Sequence, residues 1–329
     1  MIKLATIGTS WITEAFISAA LLSGKHELTA VYSRSEKKAS EFAAKTGAPN
    51  YYTNLEEMTQ SPDIDAVYIA SPNSEHFRQA LLFLKNKKHV ICEKPIFSNS
   101  KELEEAFRAA DENGVYLFEA IRNIHSPNLE ALNQELHRAG TLRSAVLAYM
   151  KYSSRYDLVL KGEEPNIFSS KYSGGALMDL GVYTIHLAVS LFGKPEKVSY
   201  APVMLPTGVD GSGTMVLSYP GFVCTIMCSK ISDSTIPCEI HGEKGTFIIG
   251  DAAPISSIDF LDRSSGEKIS LGSKPADEDM VYEAARFASI IENKEDEAYA
   301  ALQEQSRYVL GIIDEARRQN GIVFQVEKK

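Results

Sequence analysis

Two short stretches carry residue types that could do proton chemistry. "KHVICEKPI" ends an apolar run on Glu93, Lys94 and Pro95. An ammonium held at a strand end can donate to a substrate oxygen and lower the pKa of a neighbouring group. "GGALMDLGVYTIHLAVSLFG" spaces Asp179, Tyr183 and His186 at i, i+4 and i+7, the spacing of one helical face. Its other positions are almost all apolar, so the helix should be deeply packed and its polar side should need partners. Two readings stay open: groups presented to a ligand, or a polar cluster satisfied within the core. A lone lysine at a strand end is equally at home in solvent. A cis bond is plausible at Lys94–Pro95, since cis peptides are essentially a proline feature.

Three further stretches lie where an α/β sheet would bind a ligand. An N-terminal apolar strand runs into "IGTSWIT", the place of a G-x-G-x-x-G phosphate turn, but only Gly8 is present, with Ser10 and Thr13 at the other two glycine positions. A strand, a glycine turn and a helix start supply N–H groups and a positive dipole end suited to a pyrophosphate, and an ordinary βα turn has the same pattern. At the end of the second strand "VYSRSEKK" offers Ser33, Arg34 and Lys38 in place of the acid that reads an NAD ribose. That set suits a 2′-phosphate, which favours NADP(H) with NAD(H) still open, and it also suits a solvated turn. "YIASPNSEH" ends another apolar strand in a polar cluster.

The elements that must position these residues follow from periodicity. From residue 2 to about 118, short β-branched or aromatic runs ("IKLATI", "LTAVY", "AVYIA", "HVIC", "VYLF") alternate with amphipathic stretches, including helices near 75–86 and 100–113. This is the grammar of an α/β fold with a doubly wound parallel Rossmann sheet, over residues 1–122. Beyond it, helices near 128–138 and 175–191 precede closely spaced strands with hairpin turns, which predicts an α+β domain with a large, mainly antiparallel sheet over residues 123–329. A long amphipathic helix at about 299–318 is expected to pack back on the first domain.

Composition narrows the function. At 329 residues and 44% hydrophobic, the chain can build two cores. A net charge of −9 without a basic stripe argues against nucleic acid and for a small-molecule partner. No secretory leader is read at the N-terminus, no run is read as approaching the ~20 apolar residues of a membrane span, and a cytoplasmic location is expected. Cys92, Cys224, Cys228 and Cys238 form no C-x-x-C pair, so reduced, mostly buried thiols and no metal site are expected.

The N-terminal loop, "SPNSEH", "KKHVICEKP", "FEAIRNIHSP" and "GGALMDLGVY", in that order over nearly the whole chain, resemble the glucose-fructose oxidoreductase, inositol dehydrogenase and rhizopine catabolism (Gfo/Idh/MocA) family. Asp-x-x-x-Tyr is similar to the dihydrodiol and xylose dehydrogenase members. The resemblance implies a hydride-transferring oxidoreductase acting on a sugar, polyol or related hydroxy or oxo compound. Lys94 matches the active-site lysine, Tyr183 the proton donor or acceptor and Asp179 the orienting carboxylate. A tyrosine beside a cationic lysine can supply that proton because the charge stabilises its phenolate. The cofactor set would comprise Gly8, Thr9, Ser10, Trp11, Ile12, Ser33, Arg34, Lys38, Ser71, Pro72, Asn73, His76, Glu93 and Arg122. Arg155, Tyr156 and His186 are candidate substrate contacts, and His125 is either a substrate contact or, the favoured reading, a satisfied loop-to-helix histidine. Relatives often carry Trp-Arg near residues 166–168, which this chain lacks.

Two rival classes are an NAD-dependent glycoside hydrolase, which no feature demands, and a non-catalytic dinucleotide sensor, against which Lys94, Asp179 and Tyr183 count. Relatives dimerise through the open face of the second sheet. "VLSYPGFVCTIMCSKI" alternates apolar and small residues on such a face, so a homodimer or homotetramer is expected.

Overall fold

The computed structural model describes residues 1–328. The chain divides into two compact units, one built from Met1–Ile121 with Ala276–Ser306, the other from Arg122–Pro275 with the chain from Arg307 onward.

Unit 1 alternates β1 (Ile2–Ile7), α1 (Trp11–Leu22), β2 (His26–Tyr32), α2 (Glu36–Thr46), β3 (Asn50–Tyr52), α3 (Leu55–Thr59), β4 (Ala66–Ile69), α4 (Asn73–Lys85), β5 (His89–Glu93), α5 (Ser100–Asn113) and β6 (Leu117–Ala120). The strands are all parallel, in the order β3-β2-β1-β4-β5-β6. Strand order therefore reverses between β1 and β4, the switch point at which open α/β sheets hold ligands. Strands β1, β4, β5 and β6 are almost wholly buried, as expected of a sheet covered on both faces. Phe16 stacks on Tyr68 at 3.8 Å between ring centroids, and Phe118 on Phe287 at 4.6 Å. Phe287 belongs to a helix absent from the sequence reading (Val281–Asn293, α9 below), which packs into the same core as β1 and α1.

Unit 2 holds α6 (Pro127–Glu135), β7 (Leu142–Met150), α7 (Tyr156–Leu160), α8 (Val182–Phe192), β8 (Lys197–Met204), β9 (Asp210–Tyr219), β10 (Phe222–Ser229), β11 (Cys238–Gly242), β12 (Gly245–Ile249), β13 (Ile258–Asp262) and β14 (Lys268–Ser270). Its eight strands run β14-β13-β12-β11-β7-β10-β9-β8, antiparallel except for β7 beside β10. Alternation gives the sheet a buried face, with Cys224, Ile226, Ile240 and Phe247, and an outer face that includes Val146, Val223 and Leu261. The segment Ser170–Phe192 passes a length and composition test for a membrane span, contrary to the expectation that no run would. It is mostly buried within the protein, as the core helix of a folded domain is.

After α9 (Val281–Asn293), α10 spans Asp296–Gln319, one turn earlier at its start than the periodicity suggested. Its residues up to Ser306 belong to unit 1 and those from Arg307 to unit 2. All four cysteines are free and buried, and burial raises each thiol's pKa.

Two histidines start strands of unit 1 in dry surroundings. Burial lowers His26 and His89 each to about 4. Nδ1 of His89 accepts the Tyr116 N–H at 3.0 Å, a bond that only an unprotonated nitrogen can make. Because the unfolded imidazoles protonate near pH 6.5, their contribution is complete above that pH and is lost as pH falls toward about 4. Unfolding free energies from urea titration should fall over this window by up to about 1.4 kcal/mol per pH unit per histidine, and His89→Gln should flatten the slope.

Candidate active site

At the switch point of unit 1, β1 runs into Gly8, whose φ is +118°. A Cβ there would lie 2.8 Å from the Ala70 carbonyl oxygen at the end of β4, so only glycine lets the two strand ends approach this closely. Ser10 is the N-cap of α1 in extended backbone and makes no side-chain cap bond, and Pro72 at the start of α4 makes none. By contrast, Ser35, Asn54 and Asn99 each cap their helices. Of α1 to α5, the two that begin at the crevice are those with no N-cap side-chain bond to the first turn. Trp11 is 74% exposed, Ile12 half-buried, and Thr9 lines a groove of about 350 Å³ with Lys38 and Lys45. Ser33 is half-buried after β2, and the exposed Arg34 makes no hydrogen bond or ion pair among the described residues.

Lys94 sits half-buried between buried neighbours, and the Lys94–Pro95 bond is cis, as expected. Buried side chains fix the backbone that follows. The His76 ring lies 3.1 Å from the Pro95 carbonyl oxygen, 3.3 Å from that of Ile96 and 2.9 Å from that of Ser71. Burial, with a smaller contribution from the Lys94 charge, lowers its pKa, while the carbonyls oppose the shift. Glu119 accepts from the Ile96 N–H at 3.1 Å and from the Ser306 hydroxyl at 2.7 Å. Glu93 is buried and accepts from the Tyr68 hydroxyl at 2.5 Å. Ser71 donates to Gln79 at 2.8 Å, and Asn73 is half-buried at the start of α4. His76 and Glu93 therefore support the loop from within.

In unit 2 the expected helix begins as a π-helical turn, Leu177–Gly181, before α8. Asp179 lies in that turn and Tyr183 in the first turn of α8, so they do not share a face at regular α-helical spacing. Asp179 is ion-paired with Lys230, whose side chain is 7% exposed against 21% for the carboxylate. Tyr183 is buried, its ring 5.7 Å from that of Tyr149, and its carbonyl accepts from Asn123 at 3.0 Å. Asn123 also donates to the Ala252 carbonyl at 3.1 Å. Asp210, fully buried with its pKa raised by burial, accepts from the Leu177 N–H and the Tyr200 hydroxyl, each at 2.7 Å, anchoring the start of the turn. His186 is completely buried in the core, whereas Asp179 is half-buried. Arg155 is exposed, while Tyr156 is half-buried 5.8 Å from the Phe168 ring. Arg122 and His125 are half-buried in one short 3₁₀ turn.

Comparison with known proteins fits this arrangement. Residues 2–121 match the family model for an oxidoreductase family with an NAD-binding Rossmann fold, and residues 134–248 match the GFO/IDH/MocA C-terminal domain. The chain is 45% identical over 330 residues, all of both chains, to scyllo-inositol 2-dehydrogenase (NADP(+)) IolU of Bacillus subtilis. The chain belongs to the Gfo/Idh/MocA oxidoreductase family. It is 31% identical to mouse trans-1,2-dihydrobenzene-1,2-diol dehydrogenase over 95% of this chain and 94% of that one. Its fold matches KijD10, a 3-ketoreductase from Actinomadura kijaniata solved with NADP and TDP-benzene, at TM-score 0.82 and 21% identity, covering 96% and 97% of the chains.

A dinucleotide of the kind this family uses fits unit 1 on the unit's own geometry, through the uncapped starts of α1 and α4, the close approach at Gly8 and the unpaired Arg34. Sequence reading missed Lys230, Asp210, Glu119 and Asn123. Asn123 lies within "FEAIRNIHSP" beside the more conspicuous Arg122 and His125; Lys230 and Asp210 sit at strand ends with no catalytic pattern around them. Removing the imidazole that meets three carbonyls should loosen the segment carrying Lys94. His76→Ala is expected to lower kcat by about 100-fold with a smaller change in dinucleotide Kd, as steady-state kinetics and fluorescence titration would report.

Proposed function

We propose that the protein is an NADP(H)-dependent dehydrogenase or reductase acting on a polyol or related carbohydrate-like compound, cyclic polyols of the inositol type being the first class to test. The observation that carries this reading is the full-length likeness to an enzyme named for scyllo-inositol and NADP(+). The unpaired guanidinium of Arg34, with Ser33 and Lys38 near it in sequence, supports a 2′-phosphate partner at the end of β2. Gly8, Thr9, Ser10, Trp11 and Ile12 would surround the pyrophosphate, and Ser71, Pro72 and Asn73 the ribose side.

When bound, the nicotinamide gives or accepts the hydride. Lys94 donates a hydrogen bond to the substrate oxygen, and the Tyr183 phenol returns a proton to it in reduction and takes one in oxidation. Asp179 accepts from a neighbouring substrate hydroxyl and orients the ring. Tyr156, packed on Phe168, is a better supported polyol contact than the exposed Arg155.

We further propose a cytoplasmic homodimer, or a tetramer built from it, formed through the outer sheet face. On that face Val203, Val223 and Leu261 are 55%, 43% and 39% exposed, and Val146 lies on the central strand β7 beside Thr225 and Glu239. The four buried, reduced cysteines suit that compartment.

Turnover of scyllo-inositol and related polyols with NADP(+) in preference to NAD(+) is expected, and Arg34→Ala should reduce that preference about 10-fold. Lys94→Ala and Tyr183→Phe should each lower kcat by about 100-fold or more; full turnover in either would remove the role assigned to it. In sedimentation, wild type should run as a dimer or tetramer and Val146→Arg as a monomer, because a charge would be buried at the centre of the face.

A further inference from the structure

Lys230 has been given no catalytic or binding role above; it lies only at the end of the stretch read as a dimer face. Its backbone is fixed on both sides at the end of β10: the N–H donates to the Gly211 carbonyl at 2.8 Å, and the carbonyl accepts from the Ser153 N–H at 2.9 Å. The side chain is 7% exposed, with Nζ on Asp179 Oδ2 and 5.9 Å from the centroid of the buried Phe168 ring. Taking an ammonium out of water is costly, and well-packed apolar residues often serve stability as well as a buried ion pair does. Stability alone is therefore a weak reason for this lysine.

The pair is also asymmetric, since the carboxylate is the member nearer solvent, at 21% exposure. A cation on the dry side favours the ionised carboxylate and restricts its rotation, while the more exposed carboxylate can still receive a ligand's hydroxyl. The pair carries no net charge, which suits an uncharged polyol rather than a cation or an acid.

We propose that Lys230 is a positioning residue for the reaction, holding Asp179 ionised and in one orientation toward a hydroxyl of a neutral polyol. This rests on the reading of Asp179 as the substrate-orienting carboxylate.

The test uses the full-length protein with scyllo-inositol and NADP(+), comparing Lys230→Met, Lys230→Arg, Asp179→Asn and the Met/Asn double variant, with NADPH binding as a check on folding. Lys230→Met should raise KM about 10-fold and move the acid limb of kcat/KM to higher pH, because loss of the cation raises the carboxylate pKa. NADPH affinity should be unchanged, and Lys230→Arg should restore the acid limb. In the Asp179→Asn background, adding Lys230→Met should change kcat/KM by less than about twofold, since the lysine would act only through the carboxylate. If Asp179→Asn loses turnover while Lys230→Met keeps the wild-type KM and acid limb, the proposal is overturned. If Asp179→Asn itself keeps wild-type kcat/KM, the reading of Asp179 fails instead. Should Lys230→Met not fold, Lys230→Gln decides in its place: a raised KM with a displaced acid limb supports the role, and wild-type values of both overturn it.

Discussion

Where chain leaves a sheet or enters a helix inside a dry core, its backbone N–H and C=O groups still need partners, at about 1–3 kcal/mol for each one left unsatisfied. This constraint acts within each unit taken by itself. His76 meets the carbonyls of Ser71, Pro95 and Ile96, and Glu119 takes the Ile96 N–H, so the turn carrying Lys94 is held by side chains that themselves lie in the core. Asn123 holds the Tyr183 carbonyl, and Asp210 the Leu177 N–H two residues before Asp179. Chemistry-bearing side chains on irregular backbone thereby gain the rigidity that helices and strands have by themselves.

The same constraint explains which residues were legible in the sequence. The parallel sheet of unit 1 and the hairpins of unit 2 repeat a short period, and a period can be read along one chain. Lys94, Asp179 and Tyr183 stood out because polar groups interrupt apolar runs at recognisable spacings. Lys230, Asp210, Glu119 and Asn123 act through partners 51, 33, 23 and 60 residues away, and no local pattern marks a contact of that kind. The helix at 281–293 was overlooked for a related reason: its apolar face completes the core of unit 1, which is otherwise built far upstream in the chain.

The reduced fingerprint "GTSWIT" has a local explanation. Gly8 is the position with a left-handed φ and a carbonyl where a Cβ would stand. Ser10 has φ −90° and ψ 170°, extended backbone that any residue adopts, so its side chain costs the turn nothing. Thr13 is completely buried, and its hydroxyl lies within 3.1 Å of the place a Cβ on Gly8 would take. Gly8 therefore meets the demand of the tight turn, with Ser10 and Thr13 at the other two positions of the fingerprint.

The helix carrying Asp179 and Tyr183 departs from regular geometry for a reason visible at its start. Gly175 has φ +118°, and a Cβ there would lie 2.3 Å from Asp210 Oδ1, so glycine is what lets the buried carboxylate reach the Leu177 N–H. Gly181 closes the π-helical turn against Cys228, where a Cβ would sit 3.3 Å from the sulfur. Between these two close approaches the turn is widened, and Asp179 is directed to Lys230 while His186, further along, stays in the core. The i, i+4, i+7 spacing thus presumes a regular helix, which the π-helical turn interrupts before His186 in the core. The third polar group at Asp179 comes from Lys230 at the end of a strand, and the widened turn is what brings the carboxylate to it.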